Sequence, residues 1–343
     1  MLIHDSSKSL QQQKFDQIKA LSDFVLPHPF YRQAFASSSA YLQSHTPTLV
    51  VGSAGVGLTT LAKHLEMMFP QSLFVQASFS LPPQQNWRNL HLRTLQALYD
   101  PDEFVQDFSD TQRGCRVANL EIEEPKKWIG KRYTLIKLVE KLMRNLAACQ
   151  KNCIIVDNAQ YLFSSRNSNK FFEDLSYFNS LLDSNINYLL VGNHELLDLS
   201  FSPIEQLCLR VRQFDFPDYD KHDYQVFQEI LDGFQPYLVI NEEPEMQDVE
   251  FFQTYSIGRV GILKDWLVRA FRLALEHNDA LVSKAHFEKT ALSTDKIQHL
   301  FDIRSTNERK LERIRERSRD FISTLTSSEK IPNARKAKRP YIR

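Results

Sequence analysis

The pattern of hydrophobic and polar positions alternates between short apolar runs and longer segments with helical periodicity. Runs of four to six residues rich in Val, Ile and Leu predict buried strands. Apolar residues spaced three or four apart predict amphipathic helices. The predicted strands are Thr48–Val51, Ser72–Gln76, Cys153–Val156, Tyr188–Val191 and Val211–Phe216. Strands that alternate with helices predict a parallel sheet that is covered by helices on both faces.

The predicted helices fall into two groups, which meet at Pro217. Before it the helices connect the strands, whereas after it no further strand is predicted and helix follows helix. The helices expected before Pro217 are 10–24, 31–43, 59–69, 87–99, 133–149, 171–182 and 203–209. Those expected after it are 220–231, 248–255, 260–276 and 283–292. The sequence therefore predicts an α/β domain followed by a helical domain, with residues 102–130 as an exposed insertion.

The loop after the first predicted strand contains Gly52, Gly55 and Gly57. The pattern G-x-x-x-x-G-K-[ST] turns backbone N–H groups toward a phosphate, and it adds a Lys for the phosphates and a hydroxyl for Mg²⁺. Gly52, Gly57 and Thr59 match this pattern, but Leu58 stands in the Lys position. The lost charge-assisted contact is worth about 1.5–3 kcal/mol. We therefore expect weak nucleotide binding through the backbone, the helix N-terminus and Mg²⁺.

Two later strands end in polar residues. Asp157 follows the strand 153–156, in the position from which ATPases of this type hold Mg²⁺, although such an Asp can also simply cap a turn. The next position usually holds a Glu that polarises water, but here it is Asn158, which cannot accept a proton. Fast hydrolysis is therefore not expected. Asn193 follows the strand 188–191, where it can sense a γ-phosphate or form an ordinary Gly-Asn turn.

Two arginines, Arg210 and Arg212, lie at the beginning of the last predicted strand. From there an Arg can reach the nucleotide of a neighbouring subunit as an arginine finger. The alternative is an ordinary solvent-exposed arginine, which is common on protein surfaces.

The 343-residue chain has no net charge, but its charge is unevenly distributed. Residues 304–343 contain 13 Lys and Arg against five Asp and Glu, a net charge of +8, so the preceding 303 residues carry −8. A basic segment on an acidic body indicates a nucleic acid or an acidic protein as partner. Residues 309–317 mix charges at helical spacing and also suit a solvated helix. Residues 335–343 contain no acid and are expected to be disordered until they bind.

Several features indicate a cytoplasmic protein that does not enter a membrane. No segment approaches 18 apolar residues, and the first residues lack the basic and apolar parts of a secretory signal. The four cysteines show no C-x-x-C pair. We expect them to be buried thiols in a reducing cytosol.

Taken together in this order, the motifs resemble those of the AAA+ ATPases, and most of all those of the TniB/TnsC-type regulators of cut-and-paste DNA transposition. The similarity covers residues 20–295. Its D-x-A-Q element is moderately specific, because pilus- and secretion-associated ATPases share it. The motifs are L-P-H-P at 26–29, the glycine loop at 52–60, D-N-A-Q-Y-L at 157–162, V-G-N-H-E-L at 191–196, the arginines at 210 and 212, and I-G-R-V-G-I-L at 257–263.

This resemblance implies an AAA+ P-loop core, with a parallel five-stranded sheet between helices, then a small helical lid and a basic tail. The implied ranges are 1–45 for an N-terminal helical extension, 46–217 for the core, 218–300 for the lid and 301–343 for the basic helix and tail. The implied site residues are Gly52, Gly55, Gly57, Thr59 and Thr60 for phosphate, Thr59 and Asp157 for Mg²⁺, Asn193 as sensor, and Arg210 or Arg212 as finger. Leu58 and Asn158 depart from the family pattern, and Arg259 or Lys264 is the candidate to supply the missing charge.

The resemblance also implies partners. It predicts a homo-oligomeric ring or filament on double-stranded DNA, with ATP or ADP at the subunit interfaces and no base specificity. Such a protein would link a target selector to a transposase. The sequence leaves open a DNA-stimulated, active ATPase of the same family, and a signalling or secretion-associated AAA+ module that does not act on DNA.

Overall fold

The computed structural model describes residues 16, 18–78, 86–99, 134–163, 168–200, 204–237, 248–277, 279 and 282–328. The predicted insertion at 102–130 and the acid-free segment at 335–343 lie outside these residues. The chain divides into two compact units, residues 1–291 and residues 292–343.

A parallel sheet forms the centre of the first unit, as the alternating pattern predicts. Within the described residues it has five strands in the order β2-β3-β4-β1-β5. Its central strands are buried on both faces, which explains why they read as continuous apolar runs. The strands are β1 (Thr48–Gly52), β2 (Ser72–Gln76), β3 (Cys153–Asp157), β4 (Asn187–Gly192) and β5 (Arg212–Phe216). Because all the strands are parallel, their carboxyl ends lie on the same side of the sheet. The glycine loop after β1, Asp157 at the end of β3 and Asn193 after β4 therefore share that side.

Helices connect these strands close to the positions that the periodicity predicts. They are α1 (Pro29–Gln43), α2 (Leu58–Met68), α3 (Asn86–Tyr99), α4 (Leu135–Ala148), α5 (Ser168–Leu181), α6 (Leu197–Ser200) and α7 (Glu205–Arg210). Of the helix predicted at 10–24, the structure describes residues 18–23 as fully helical. The start of α1 differs from the prediction, because Pro29 occupies the first helical turn and the His28 side chain caps it by accepting the Tyr31 N–H at 3.3 Å.

The lid follows β5 and consists of helices that bury one apolar face. Its helices are α8 (Tyr224–Phe234), α9 (Val249–Ser256), α10 (Val260–Glu276) and α11 (Lys284–Thr290). Phe227, Phe252 and Trp266 are nearly inaccessible members of its core, which also includes Leu21 from the N-terminal segment. No helix among the described residues is long and apolar enough to cross a membrane.

The second unit begins earlier than the sequence suggests. Its helix α12 spans Thr294–Ser328, so residues 294–300, which the sequence assigns to the lid, continue into the basic helix. The reason is visible in the pattern, since Ile297 is the one buried side chain among those described in this helix. A helix with so little apolar surface has no periodicity from which its beginning can be read.

The cysteines differ in how deeply they are buried. Cys153 in β3 is a buried free thiol, and burial raises its pKa to about 12, which keeps it protonated and unreactive. Cys149 and Cys208 are only half-buried. The prediction of buried thiols therefore holds for Cys153 and overstates the burial of these two, while Cys115 lies outside the described residues.

Two histidines lie in the interior as neutral imidazoles. Burial lowers the pKa of His91 to about 4, and its Nε2 is 2.7 Å from the Tyr177 hydroxyl. Burial, together with the charge of nearby Arg32, lowers the pKa of His28 to about 4 as well. Both values lie below the ordinary 6.5, so acid favours the unfolded chain, which binds protons more readily.

We predict that the free energy of unfolding falls as the pH is lowered from about 6.5 to about 4, by up to about 1.4 kcal/mol for each unit of pKa shift. Replacing His91 by Phe keeps an aromatic ring beside Trp87 and removes one titrating group, so the pH dependence should become shallower. Urea unfolding at several pH values measures this, with His222→Gln on the exposed surface as the control. An unchanged slope in His91→Phe would contradict the assignment.

Candidate nucleotide-binding site

The loop between β1 and α2 leaves backbone N–H groups available for an anion. Gly55 and Gly57 have φ angles of 88° and 108°, in the left-handed region that glycine adopts without strain. The first N–H groups of any α-helix have no partner within the helix. In α2 the N-cap residue, Gly57, provides no side-chain cap for them either. A Cβ atom on Gly57 would meet nothing within 4 Å. The loop therefore presents an open, positively polarised helix end, which suits a phosphate.

Thr59 and Asp157 lie together beside this helix end. The Thr59 hydroxyl donates to Asp157 Oδ2 at 2.9 Å, and the Asp157 residue is only 2% exposed. A hydroxyl next to a carboxylate is a set of oxygen donors that fits Mg²⁺. These contacts agree with the residues that the sequence proposed for the metal, although the metal role itself stays a prediction.

Gln76 is a further member of the site, which the sequence analysis missed. It is the last residue of β2 and pairs in register with Asp157 on β3. Its amide donates to Asp157 Oδ2 at 3.2 Å, while its carbonyl accepts from Arg93 Nη1 at 3.0 Å. Its position at the carboxyl end of a predicted strand was the available signal.

Asn158 is held in an unusual conformation directly after the carboxylate. Its φ angle is 56°, in the left-handed region that Asn tolerates better than most residues. Its backbone N–H donates to Asp157 Oδ1 at 3.0 Å. The residue thus helps to fix the carboxylate through its backbone, and a role of its side chain in orienting water stays a prediction.

Leu58 occupies the Lys position and packs as an apolar residue. Its side chain is half-buried against the cluster that includes Tyr31 of α1 and Leu61 of α2. Lys63 on the same helix lies over the Phe74 ring, 6.0 Å from its centroid. The Lys264 ammonium of the lid donates to the Phe24 carbonyl at 2.7 Å, which argues against it as the replacement charge.

Arg259 reaches the loop from the lid but binds its backbone. This residue is 1% exposed, and its Nε donates to Asp218 Oδ2 at 3.1 Å. Its Nη1 donates to the Ala54 carbonyl at 3.3 Å. Its Nη2 is buried and has no hydrogen-bond partner within the described part of the chain. Contact with a phosphate, as the sequence proposed for Arg259, stays a prediction.

The lid segment 257–263 lies directly on the glycine loop. The Gly261 N–H donates to the Gly55 carbonyl at 2.8 Å, and a Cβ atom on Gly261 would come within 2.5 Å of that oxygen. A Cβ atom on Gly55 would lie 2.7 Å from Ile262 Cγ1. Ser53 completes the contact, because its hydroxyl donates to Asp218 Oδ2 at 3.1 Å. Lid and loop therefore meet without room for added side-chain atoms.

The L-P-H-P segment joins the same contact through Tyr219, another residue that the sequence analysis missed. The Tyr219 hydroxyl lies 2.8 Å from His28 Nδ1, and the Phe30 ring stacks on the Tyr219 ring at 4.3 Å. The Tyr219 N–H donates to the Gly258 carbonyl at 3.0 Å. The N-terminal segment, the end of the sheet and the lid therefore converge on this one tyrosine.

Residues 42–199 match the protein family described as AAA domain. This part of the chain, residues 42–199, resembles an AAA domain and is called the AAA domain below. Among solved structures, the chain is similar to the ORC2 protein of Aeropyrum pernix in its ADPNP–ADP complexes, with a TM-score of 0.51 and 16% identity over 78% of this chain and 69% of that one. The Aeropyrum pernix ORC1 protein in complex with DNA gives a TM-score of 0.52 and 14% identity, over 78% of this chain and 65% of that one.

A third similar structure is Cdc6p of Pyrobaculum aerophilum, with a TM-score of 0.54 and 12% identity over 79% of this chain and 69% of that one. At identities this low, structural similarity shows the fold alone. That fold is an α/β AAA+ core with a helical region after it. Among curated proteins, none matches this sequence.

In the AAA domain, Gln160 connects the ends of β3 and β4. Its Oε1 accepts the Asn193 N–H at 3.3 Å and lies against Gly192. The Asn193 side chain caps the 3₁₀ helix His194–Leu196 by accepting the Glu195 N–H at 2.9 Å. The turn interpretation of Asn193 is therefore confirmed, and the sensor role stays a prediction.

Arg210 and Arg212 lie on the surface of the first unit. Arg210 Nη1 is 2.6 Å from Asp183 Oδ1 in a pair whose side chains are 40% and 62% exposed, and Arg212 is exposed in the edge strand β5. Exposed pairs contribute about 0–1 kcal/mol, so Asp183 holds Arg210 only weakly. Both arginines are exposed, and the finger role stays a prediction.

We predict that Gly261→Ala destabilises the first unit, residues 1–291, by about 1–3 kcal/mol, because the new Cβ atom would press on the Gly55 carbonyl. Gly233→Ala is the matched control. It is also a helical glycine, but its Cβ atom would meet the end of the flexible Leu26 side chain, so it should cost little or add helix propensity. Thermal unfolding of both variants measures the difference. Equal melting temperatures would show that the contact between lid and loop is loose.

Proposed function

We propose that this chain is an AAA+ regulator of DNA transposition that binds a nucleotide weakly and hydrolyses it slowly or not at all. The observation that carries the proposal is the 2.9 Å contact between Thr59 and Asp157 beside the uncapped end of α2. This contact supports phosphate and metal positions like those of an AAA+ site, while Leu58 and Asn158 stand where the family pattern has the two residues most needed for turnover.

The residues that would hold the nucleotide follow from this geometry. The backbone N–H groups at the beginning of α2 would bind the phosphates, and Thr59 and Asp157 would hold Mg²⁺. A bound Mg²⁺ would neutralise part of the phosphate charge that a Lys normally meets. Asn158 can orient a water molecule by hydrogen bonding, but it leaves no carboxylate to take the proton.

The DNA-binding part of the proposal rests on the second unit. Helix α12 exposes Arg309 and Arg313 with Lys310 between them, and the following residues extend the basic segment. The ORC1 structure to which the fold is similar was determined in complex with DNA. Lys and Arg that contact phosphates carry no base information, so the binding we propose is independent of sequence.

The transposition part rests on the order of the motifs. The TniB/TnsC-like set runs from L-P-H-P to I-G-R-V-G-I-L, and Tyr219 contacts both His28 of the first motif and Gly258 of the last. We propose that the chain assembles as a ring or filament on DNA, with Arg210 or Arg212 facing the next subunit. The assembly would then link a target selector to a transposase.

We predict that Leu58→Lys raises the affinity for ATP by about ten- to a hundredfold, because it restores a charge-assisted contact worth about 1.5–3 kcal/mol. Titration with a fluorescent ATP analogue in the presence of Mg²⁺ measures the affinity. Asp157→Ala should abolish binding in either background. Adding Asn158→Glu to Leu58→Lys should produce turnover that the natural chain lacks.

Lys63→Leu is the matched control for this titration, since it changes a cation on another face of α2 and should leave the affinity unchanged. Nucleotide binding that is the same in the natural chain, Leu58→Lys and Asp157→Ala would refute the site. Rapid, DNA-stimulated hydrolysis by the natural chain would instead support the active-ATPase alternative.

We predict that the double change Arg309→Gln and Arg313→Gln weakens DNA binding on all sequences alike and reduces the slope of log K against log salt by about 2. Fluorescence anisotropy with two unrelated duplexes at several salt concentrations measures the slope. Arg269→Gln with Arg272→Gln removes the same charge from the lid and should leave the slope unchanged.

Electron microscopy with long duplex DNA, with and without ATP, tests the assembly itself. Ordered rings or filaments on DNA are expected. A chain that stays monomeric on DNA under both conditions would refute the proposed regulator. In the anisotropy experiment, a salt slope that Arg309→Gln with Arg313→Gln leaves unchanged would show that α12 is not part of the DNA interface.

A further inference from the structure

We propose that His277, Asp279 and His286 of the lid form a binding site for Zn²⁺. Each offers one ligand atom, and these three atoms lie within 4.8 Å of one another. In a tetrahedral site with metal–ligand distances of about 2.0–2.2 Å, the ligand atoms lie roughly 3.3 Å apart. Since His277 and Asp279 are exposed, small rotations of their side chains would bring the three atoms to that spacing.

The position of the cluster favours a cation. His277 is the C-cap residue of α10, a helix of 17 residues whose carbonyl end carries a partial negative charge. His286 lies in the first turn of α11, and Asp279 lies between the two helices. The ring centroids of His277 and His286 are 5.9 Å apart. A metal here would join the end of one lid helix to the beginning of the next.

The most buried ligand is already oriented by a neighbour. His286 Nδ1 lies 2.8 Å from Ser283 Oγ and 3.1 Å from the Ser283 backbone nitrogen, while Nε2 faces Asp279 Oδ2 at 2.9 Å. Such a partner on the remote nitrogen fixes the ring of a metal-binding histidine. In the metal-free chain Nδ1 accepts the Ser283 N–H, so the ring proton lies on Nε2 and is donated to Asp279 Oδ2. Binding of Zn²⁺ at Nε2 requires the other tautomer, in which the proton lies on Nδ1 and the Ser283 hydroxyl accepts it.

The donor set selects the class of metal. Two imidazoles and one carboxylate favour Zn²⁺ over Mg²⁺ or Ca²⁺, which prefer oxygen ligands, and they leave a fourth position for water or an outside ligand. The residue after His286 is Phe287, whose carbonyl accepts from Trp266 Nε1 of α10 at 3.0 Å. Zinc would therefore strengthen a helix pair that already packs together, and this effect is independent of nucleotide.

Equilibrium dialysis of the full-length chain against Zn²⁺ alone, with thermal unfolding in parallel, tests the proposal. We expect about one Zn²⁺ per chain and a rise in melting temperature of several degrees. Co²⁺ should give the visible absorption of a four-coordinate site. His277→Gln removes an exposed ligand and leaves the contact between Asp279 and His286 in place, so this variant should fold and bind at least about tenfold more weakly.

Asp279→Asn separates the two roles of this carboxylate, because an amide oxygen still accepts a hydrogen bond from His286 but is a poor Zn²⁺ ligand. It should lose the zinc-dependent rise in melting temperature and keep the stability of the metal-free chain. His299→Gln, an exposed histidine in α12, is the control and should bind as the natural chain does. Absence of Zn²⁺ binding by the natural chain would overturn the proposal and leave the cluster as a hydrogen-bonded turn. So would binding by His277→Gln and Asp279→Asn that is as tight as that of the natural chain.

Discussion

The Asp218 carboxylate ties together three parts of the chain that are far apart in sequence. It follows β5, accepts a hydrogen bond from Ser53 of the glycine loop, and pairs with Arg259 of the lid, with both charged side chains at most 6% exposed. Removing two charges from water costs several kcal/mol for each, and their attraction offsets this only when the geometry is good and further hydrogen bonds are made. Arg259 gains such a bond from the Ala54 carbonyl. The pair is therefore stable only while the lid lies on the loop.

The contacts of Asp218 and Arg259 with the loop help to hold its backbone in place although Leu58 stands in the Lys position. The backbone of Gly55 is held by Gly261, and Leu58 packs into the apolar cluster between α1, α2 and the sheet. An apolar side chain at this position gains burial where a lysine would need an anion nearby. The open helix end at Gly57 is unaffected, because it is formed by the backbone alone.

The sheet was predictable because its strands are buried on both faces and read as apolar runs, so the predicted strands differ from those observed by one residue or less at each end. The glycine loop and Asp157 were predictable because each is marked by a short local pattern, namely spaced glycines after one strand and an Asp at the end of another. Asp218 and Tyr219 were not, since their roles depend on where the lid lies. For Gln76 the sequence indicated its place at the end of a strand, but its contact with Asp157 depends on which strands are neighbours. The early start of α12 escaped prediction for another reason, namely that a charged helix carries no apolar periodicity.

The contact between lid and loop also bears on what a nucleotide would do here. In a protein that uses turnover to move its lid, the closed state should depend on the bound phosphate. In this chain protein groups contribute to that contact, through Gly261 on Gly55 and through the buried pair of Asp218 and Arg259. A ligand can shift an equilibrium only by its differential affinity for the two states. A nucleotide at the end of α2 would therefore stabilise the contact between lid and loop only to the extent that it binds more tightly when the lid lies on the loop.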